Sequence, residues 1–245
     1  MTAIASNGAA IVIGAGDATG GAVAAAFAQT GLTAVPVRRT GDSLLPLVSQ
    51  IVGAGGQCVA FGADARDEDA MIALFDRVER EIGPVEVLVF NIGANSPMGI
   101  LDETVRRYRK IWEMCALAGF ITAREAARRM VPRGRGTIIF TGATASLRGS
   151  ANFAGFSGGK FALRSLAQAM ARELGPKGIH VVHSIIDGAI DTDFIRSNFP
   201  DRYALKDADG ILNPEAIAAE YVRLHQQPRS AWTHELDLRP WIEKW

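Results

Sequence analysis

The sequence predicts one doubly wound α/β domain, a parallel sheet of about seven strands with helices on both faces. Short apolar runs alternate with longer stretches of helical periodicity from end to end, the order expected of repeated right-handed strand–helix–strand crossovers. The chain has 245 residues, 48% of them hydrophobic, enough for a large core in a single open sheet. No internal repeat, low-complexity tract or linker interrupts the alternation.

The elements follow in order. Runs 9–14, 33–37, 57–61, 85–90, 136–141 and 179–186 read as buried strands. Segments 20–30, 43–52, 67–82, 102–130 and 154–174 carry helix formers at helical spacing between them. Pro36 weakens the second strand, because proline removes a ladder donor. After Gly188 the texture changes. Residues 189–213 mix Pro200, Gly210 and several charges, and suit a mobile cover over a pocket. Residues 214–225 read as a helix with Asn213 as N-cap and Pro214 in the first position, and the covering segment is placed at 189–225. Side chains alternate over 232–238, which predicts a last strand.

Composition narrows the function classes. Lys plus Arg and Asp plus Glu number 26 each, a formal net charge of zero, which argues against a nucleic-acid or membrane-surface partner. Arginines cluster at Arg106, Arg107 and Arg109 and at Arg124, Arg128 and Arg129, as solvated helix faces or subunit contacts. Cys58 and Cys115 lie far apart in elements of the core, so an unpaired, reducing, cytoplasmic setting is expected. Residues 1–8 lack the pattern of a signal peptide. No apolar run approaches about 18 residues, so no membrane span is expected. No metal-ligand set is assigned.

The first strand ends in Gly14-Ala15-Gly16-Asp17-Ala18-Thr19-Gly20 and opens a helix. Glycines there let backbone approach a pyrophosphate at the positive helix N-terminus. Phe90-Asn91-Ile92-Gly93 follows the fourth strand, and Phe156-Ser157-Gly158-Gly159-Lys160 lies inside the long helix at 154–174. With these motifs the chain resembles the short-chain dehydrogenase/reductase family from about residue 9 to residue 192. The resemblance implies a Rossmann-type fold, a nicotinamide dinucleotide cofactor, a small-molecule substrate and a homodimer or homotetramer.

By that resemblance, Gly14, Gly16, Asp17 and Gly20 cradle phosphates, although Ala18 fills the middle glycine of the family spacing. Asp64 matches the acid at the adenine edge, and Asn91 and Gly93 keep the second half of Asn-Asn-Ala-Gly. Gly188 and Thr192 keep the segment beside the nicotinamide carboxamide, with Asp187 in place of its proline. Arg38 and Arg39 end the second strand where NAD-specific relatives carry an acid, and guanidinium groups suit a 2′-phosphate. Asp17 cuts the other way. NADP is favoured over NAD.

The catalytic set departs from the family. Counting from Lys160, Phe156 replaces the tyrosine, Ala143 the serine and Cys115 the asparagine; only Lys160, the ribose-holding lysine, remains. Residues 156 and 160 share one helix face, but a phenyl ring moves no proton. Each lost donor should cost on the order of 10²–10⁴-fold. Thr144 is the first choice for substrate contact, ahead of Thr141 and Ser146. Ser157 points about 100° around the helix from Phe156, which argues against it. Tyr203 in the cover, Asp187 and His183 are further candidates, with His183 better read as a core histidine. Three readings stay open: a divergent NAD(P)-dependent oxidoreductase with atypical proton delivery, a catalytically silent NAD(P)-binding or sensing protein, and cofactor-free chemistry, the weakest.

Overall fold

The strand runs condense into one parallel sheet in a computed structural model that describes residues 7–244. Strands β1 (Ala9–Ile13), β2 (Thr33–Arg38), β3 (Gln57–Cys58), β4 (Phe61–Gly62), β5 (Val85–Phe90), β6 (Thr137–Thr141), β7 (His180–Ile186) and β8 (Glu235–Leu238) lie in the order β3-β2-β1-β5-β6-β7-β8, with β4 also beside β2. The chain order reverses between β1 and β5, so a crevice opens beyond their carboxyl ends.

The third predicted strand is divided, and Pro36 accounts for the division. The carbonyls of Ala34 and Arg38 accept from the N–H groups of Val59 and Ala63. Pro36 lies on the same side of β2 and has no N–H to give, and the edge strand breaks there into β3 and β4.

Alternate strand residues face opposite layers. Ile11, Leu88, Phe90, Ile138 and Phe140 pack with Met71, Phe75, Ile121 and Leu163, beneath α3 (Glu68–Glu81), α5 (Ala118–Met130) and α6 (Ala154–Leu174). Ala10, Val12, Val87, Val89 and Val182 pack with Val23, Phe27, Tyr221 and Leu224, beneath α1 (Thr19–Gln29), with α2 (Leu45–Gly53) and α9 (Pro214–His225) on the same side. All these named residues except Ile121 and Leu224 have essentially no exposed surface. Asp67 and Asn213 cap α3 and α9 by accepting from the N–H of Ala70 and Ala216.

Three sequence expectations need correction. The long helix at 102–130 is not uniform: α4 (Val105–Trp112) passes through a π turn, Glu113–Leu117, into α5. The segment 189–225 does not act as one cover. Only its first part, with α7 (Asp193–Asn198) and α8 (Pro200–Tyr203), lies outside the core layers, pinned by the bridge between Ile190 and Leu212. Helix α9 buries Ile217, Ala218, Tyr221 and Leu224 and is a layer of the core. The arginines of α5 are not merely solvated. Glu125, 2% exposed, accepts from Arg124, Arg128 and Arg129, and Arg124 and Arg129 reach Glu68 and Asp76 of α3. Among the described residues, no helix is long and apolar enough to cross a membrane.

Candidate cofactor and substrate site

Two cavities open along the carboxyl edge of the sheet and meet at Gly14, Gly16, Asn91 and Gly93. The first, about 270 Å³, lies over β1 and β2 and is walled by Arg38, Arg39, Asp64 and Arg66. The second, about 490 Å³, lies over β6 and β7 and takes in Asp17, Gly20, Ala143, Thr144, Phe156, Lys160, Gly188 and Thr192. The structure therefore gathers every residue expected from sequence to hold a dinucleotide along one continuous crevice.

The turn between β1 and α1 is shaped by close approach. Gly14 has φ +85°, a conformation that favours glycine, and a methyl group at Gly20 would stand 2.6 Å from the Gly14 carbonyl oxygen. Asn91 Nδ2 donates to that same oxygen at 3.3 Å, tying the end of β5 to the turn. Ala18 takes the N-cap position of α1 without a side-chain cap, and the first turn of α1 holds no acid. The helix thus presents uncapped backbone N–H groups and its positive end to the crevice, a cradle for a pyrophosphate. Ala18 stands at that N-cap with φ −121° and ψ −127°.

At the far end of the first cavity, Arg66 donates to both oxygens of Asp64, at 2.6 and 3.0 Å. The guanidinium holds the Asp64 carboxyl below the usual carboxylate range. Arg66 was not anticipated from sequence; its place two residues after Asp64 was the available signal. Arg38 is half-exposed, its Nη1 4.0 Å from a carboxylate oxygen of the fully exposed Asp17.

Lys160 is 2% exposed. Its ammonium donates to the carbonyls of Thr141 at 2.7 Å and Ile92 at 3.1 Å, which leaves one of three donors for a ligand. Burial pushes its pKa below the usual lysine range. Cys115 sits in the π turn with no exposed surface, and burial raises its thiol pKa, so it stands as a neutral, inert group. Cys58 is also a free thiol, pushed up to about 11 by burial.

Ala143, Cys115 and Phe156, the positions that the resemblance pairs with the family's serine, asparagine and tyrosine, lie in one apolar cluster. Phe156 and Cys115 pack with Ile111 and Ala145, and Ala94, Ala143 and Phe153 close around them. The Phe156 ring centroid is 5.9 Å from the Lys160 ammonium.

The candidate hydroxyls separate. Thr141 Oγ1 is 3.0 Å from the buried Tyr221 hydroxyl, and Ser146 Oγ accepts from the Ala143 N–H. Thr144 lines the cavity and its Oγ1 donates to Asp187 Oδ1, so of the three only Thr144 has a carboxylate as its partner. Ser157, set aside from sequence, does line this cavity, and its Oγ is buried with no hydrogen-bond partner. Tyr203 does not line it, and its ring centroid stands 5.6 Å from Lys206 Nζ instead. His183 has no exposed surface, meets Glu235 at 3.0 Å, and is pushed down to about 4 by burial. It is a neutral core histidine.

A parallel sheet that reverses order above a glycine turn, with a buried lysine on the far wall, is a dinucleotide-binding type of α/β scaffold. Comparison with known proteins makes this specific. The pattern of the family described as short chain dehydrogenase matches residues 8–202. The chain is 31% identical over 188 residues to 7alpha-hydroxysteroid dehydrogenase of Escherichia coli, covering 77% of this chain and 73% of that one. It is 31% identical over 189 residues to a versicolorin reductase of Emericella nidulans, covering 77% and 71%. A crystal structure of a short-chain dehydrogenase from Rhodopseudomonas palustris superposes with TM-score 0.83 at 46% identity, covering 96% of this chain and 99% of that one. The chain belongs to the short-chain dehydrogenase/reductase family and is an oxidoreductase of that family.

Proposed function

We propose that the protein is an NAD(P)-dependent oxidoreductase acting on the carbonyl/alcohol couple of a small molecule, with NADP preferred and with atypical proton delivery because Phe156 replaces tyrosine. The observation that carries this reading is the pair of cavities joined at Gly14, Gly16, Asn91 and Gly93, with Lys160 among the residues that line the second. Gly14, Gly16 and Gly20 would hold the phosphates, with Asp17 at the rim. Asp64 would meet the adenine side, and Arg38 and Arg39 the 2′-phosphate. Lys160 would bond ribose hydroxyls while Asn91, Gly93, Gly188 and Thr192 frame the nicotinamide. Bound there, the dinucleotide supplies a hydride donor or acceptor. Thr144 contacts the substrate oxygen beside the apolar wall of Ala143 and Phe156.

Fluorescence titration with NADPH and NADH tests this. Tighter NADPH binding that Arg38→Ala and Arg39→Ala reduce to the NADH level is expected; no affinity for either coenzyme overturns the reading. A second reading, a silent dinucleotide-binding protein, is favoured by the apolar cluster at Ala143, Cys115 and Phe156. Coenzyme binding without turnover of any carbonyl, alcohol or imine probe would select it. We further propose a cytoplasmic homodimer or homotetramer joined through α4, α5 and α6, where Val105, Phe120 and Phe161 are exposed. Light scattering that finds a stable monomer would remove the assembly.

A further inference from the structure

The Thr144–Asp187 pair assigns a direction to the substrate wall. We infer that Thr144 accepts a hydrogen bond from its substrate, that Asp187 behind it is the proton acceptor, and that the site therefore takes an apolar secondary alcohol to be oxidised. This rests on the proposed dinucleotide function and adds the substrate class and the proton route.

A carboxylate has no hydrogen to donate, so the bond between Thr144 Oγ1 and Asp187 Oδ1 uses the threonine proton. With that proton committed, Thr144, which lines the cavity, has only lone pairs left to offer, and these suit a hydroxyl and not a carbonyl oxygen. Asp187 is 4% exposed and does not itself line the cavity, whereas Thr144, which is bonded to it, does. Its other oxygen lies 3.5 Å from Arg239 Nη2, whose guanidinium also bonds Asp237, and this contact keeps the carboxylate from turning away from Thr144.

The rest of the wall agrees. Ala143 and Phe156 offer no proton to an oxygen at the two positions where relatives carry a donor, and Phe153 and Ala145 extend the apolar surface. Thr141, Ser150 and Ser157 also line this cavity, but the Thr141 hydroxyl is bonded to Tyr221 and the Ser157 oxygen is buried within the wall. An alcohol proton finds an acceptor on that wall in Thr144, with Asp187 behind it.

The step balances. As the carbinol carbon loses its hydride to the oxidised nicotinamide, its hydroxyl proton passes to Thr144 Oγ1. The threonine proton passes to Asp187 Oδ1, the carbon–oxygen single bond becomes a double bond, and the proton is held as the Asp187 carboxylic acid. General-base assistance of this kind contributes about 10²–10⁴-fold.

The test separates binding from turnover. With NADP⁺ bound, calorimetry would compare 2-phenyl-2-propanol, an alcohol with no hydride to lose, against acetophenone, its acceptor-only counterpart. The alcohol should bind at least tenfold tighter; Thr144→Val should abolish the difference and Thr144→Ser should restore it. Asp187→Asn should leave NADP⁺ affinity within threefold and lower kcat for oxidation of 1-phenylethanol by on the order of 100-fold. Equal binding of the two probes, binding of neither, loss of the preference in Ser157→Ala and not in Thr144→Val, or unchanged kcat in Asp187→Asn overturns the inference. Failure of the wild-type protein to bind NADP⁺ itself overturns the dinucleotide reading on which it stands.

Discussion

Replacing Lys160 with methionine tests the cofactor half of the site directly. The side chain is 2% exposed and spends two donors on the Thr141 and Ile92 carbonyls. Methionine is close in length and uncharged, so it fills the space and removes only the ammonium. Two opposing effects act on stability. Each carbonyl left without its donor costs about 1–3 kcal/mol, while a buried ammonium, which desolvation disfavours, is no longer carried. These oppose each other, and the variant should fold. Binding has no such compensation. A hydrogen bond from a charged donor contributes about 1.5–3 kcal/mol, which at about 1.4 kcal/mol per decade is roughly 10–100-fold in affinity. Fluorescence titration should therefore show NADPH affinity falling by about 10–100-fold, and urea denaturation should show a stability change of less than about 2 kcal/mol. A variant that unfolds at its usual urea midpoint and binds NADPH within threefold of the unmodified protein would refute the assignment of Lys160 to the ribose.

Three further outcomes follow from the same geometry. Restoring the family donors with Phe156→Tyr and Ala143→Ser should leave NADPH binding unchanged and raise reduction of cyclohexanone by at least about 10²-fold; bound coenzyme with no gain would show that the nicotinamide is not aimed at this wall. Asp17→Asn removes an acid 4.0 Å from Arg38 and should tighten NADPH by up to about fivefold without altering NADH, the range expected of exposed charges; equal effects on both coenzymes would dissociate Arg38 from the 2′-phosphate. His183 lies at about 4 when folded against about 6.5 unfolded, so below the upper value the unfolded chain binds a proton that the folded chain refuses. Stability from this residue is full above pH 6.5 and is lost as pH falls toward 4, by about 3 kcal/mol. His180 and His225 are pushed the same way by burial and should steepen the fall; urea unfolding at pH 7.5 and 4.5 measures it, and a pH-independent midpoint would contradict it.

Much of the architecture was legible because strand burial writes itself as apolar runs and helix faces as spacing. Helix α6 and helix α9 fall at the bounds read from sequence, and Asn213 caps where its side chain and the following proline require. The π turn at Glu113–Leu117 left no such mark, since one extra residue within a helix changes neither composition nor period over a short window. Side-chain partnership is the other illegible part. Thr144 and Asp187 stand 43 residues apart, and only the parallel register of β6 beside β7 brings their turns together. The same register commits the Thr141 hydroxyl to Tyr221 of α9, and nothing near Thr141 in the sequence announces that. Ser157 was set aside on helix angle alone, which fixes direction from the axis but not the width of the cavity the helix borders.

The break at Pro36 reaches beyond the strand that contains it. An uninterrupted rim strand offers a row of free peptide groups on which a second chain can lay a strand of its own. Here that margin is reduced to two pairs of residues, Gln57–Cys58 and Phe61–Gly62, with a gap between them. A ring that cannot donate a hydrogen thus narrows the template that this margin offers for sheet-to-sheet growth.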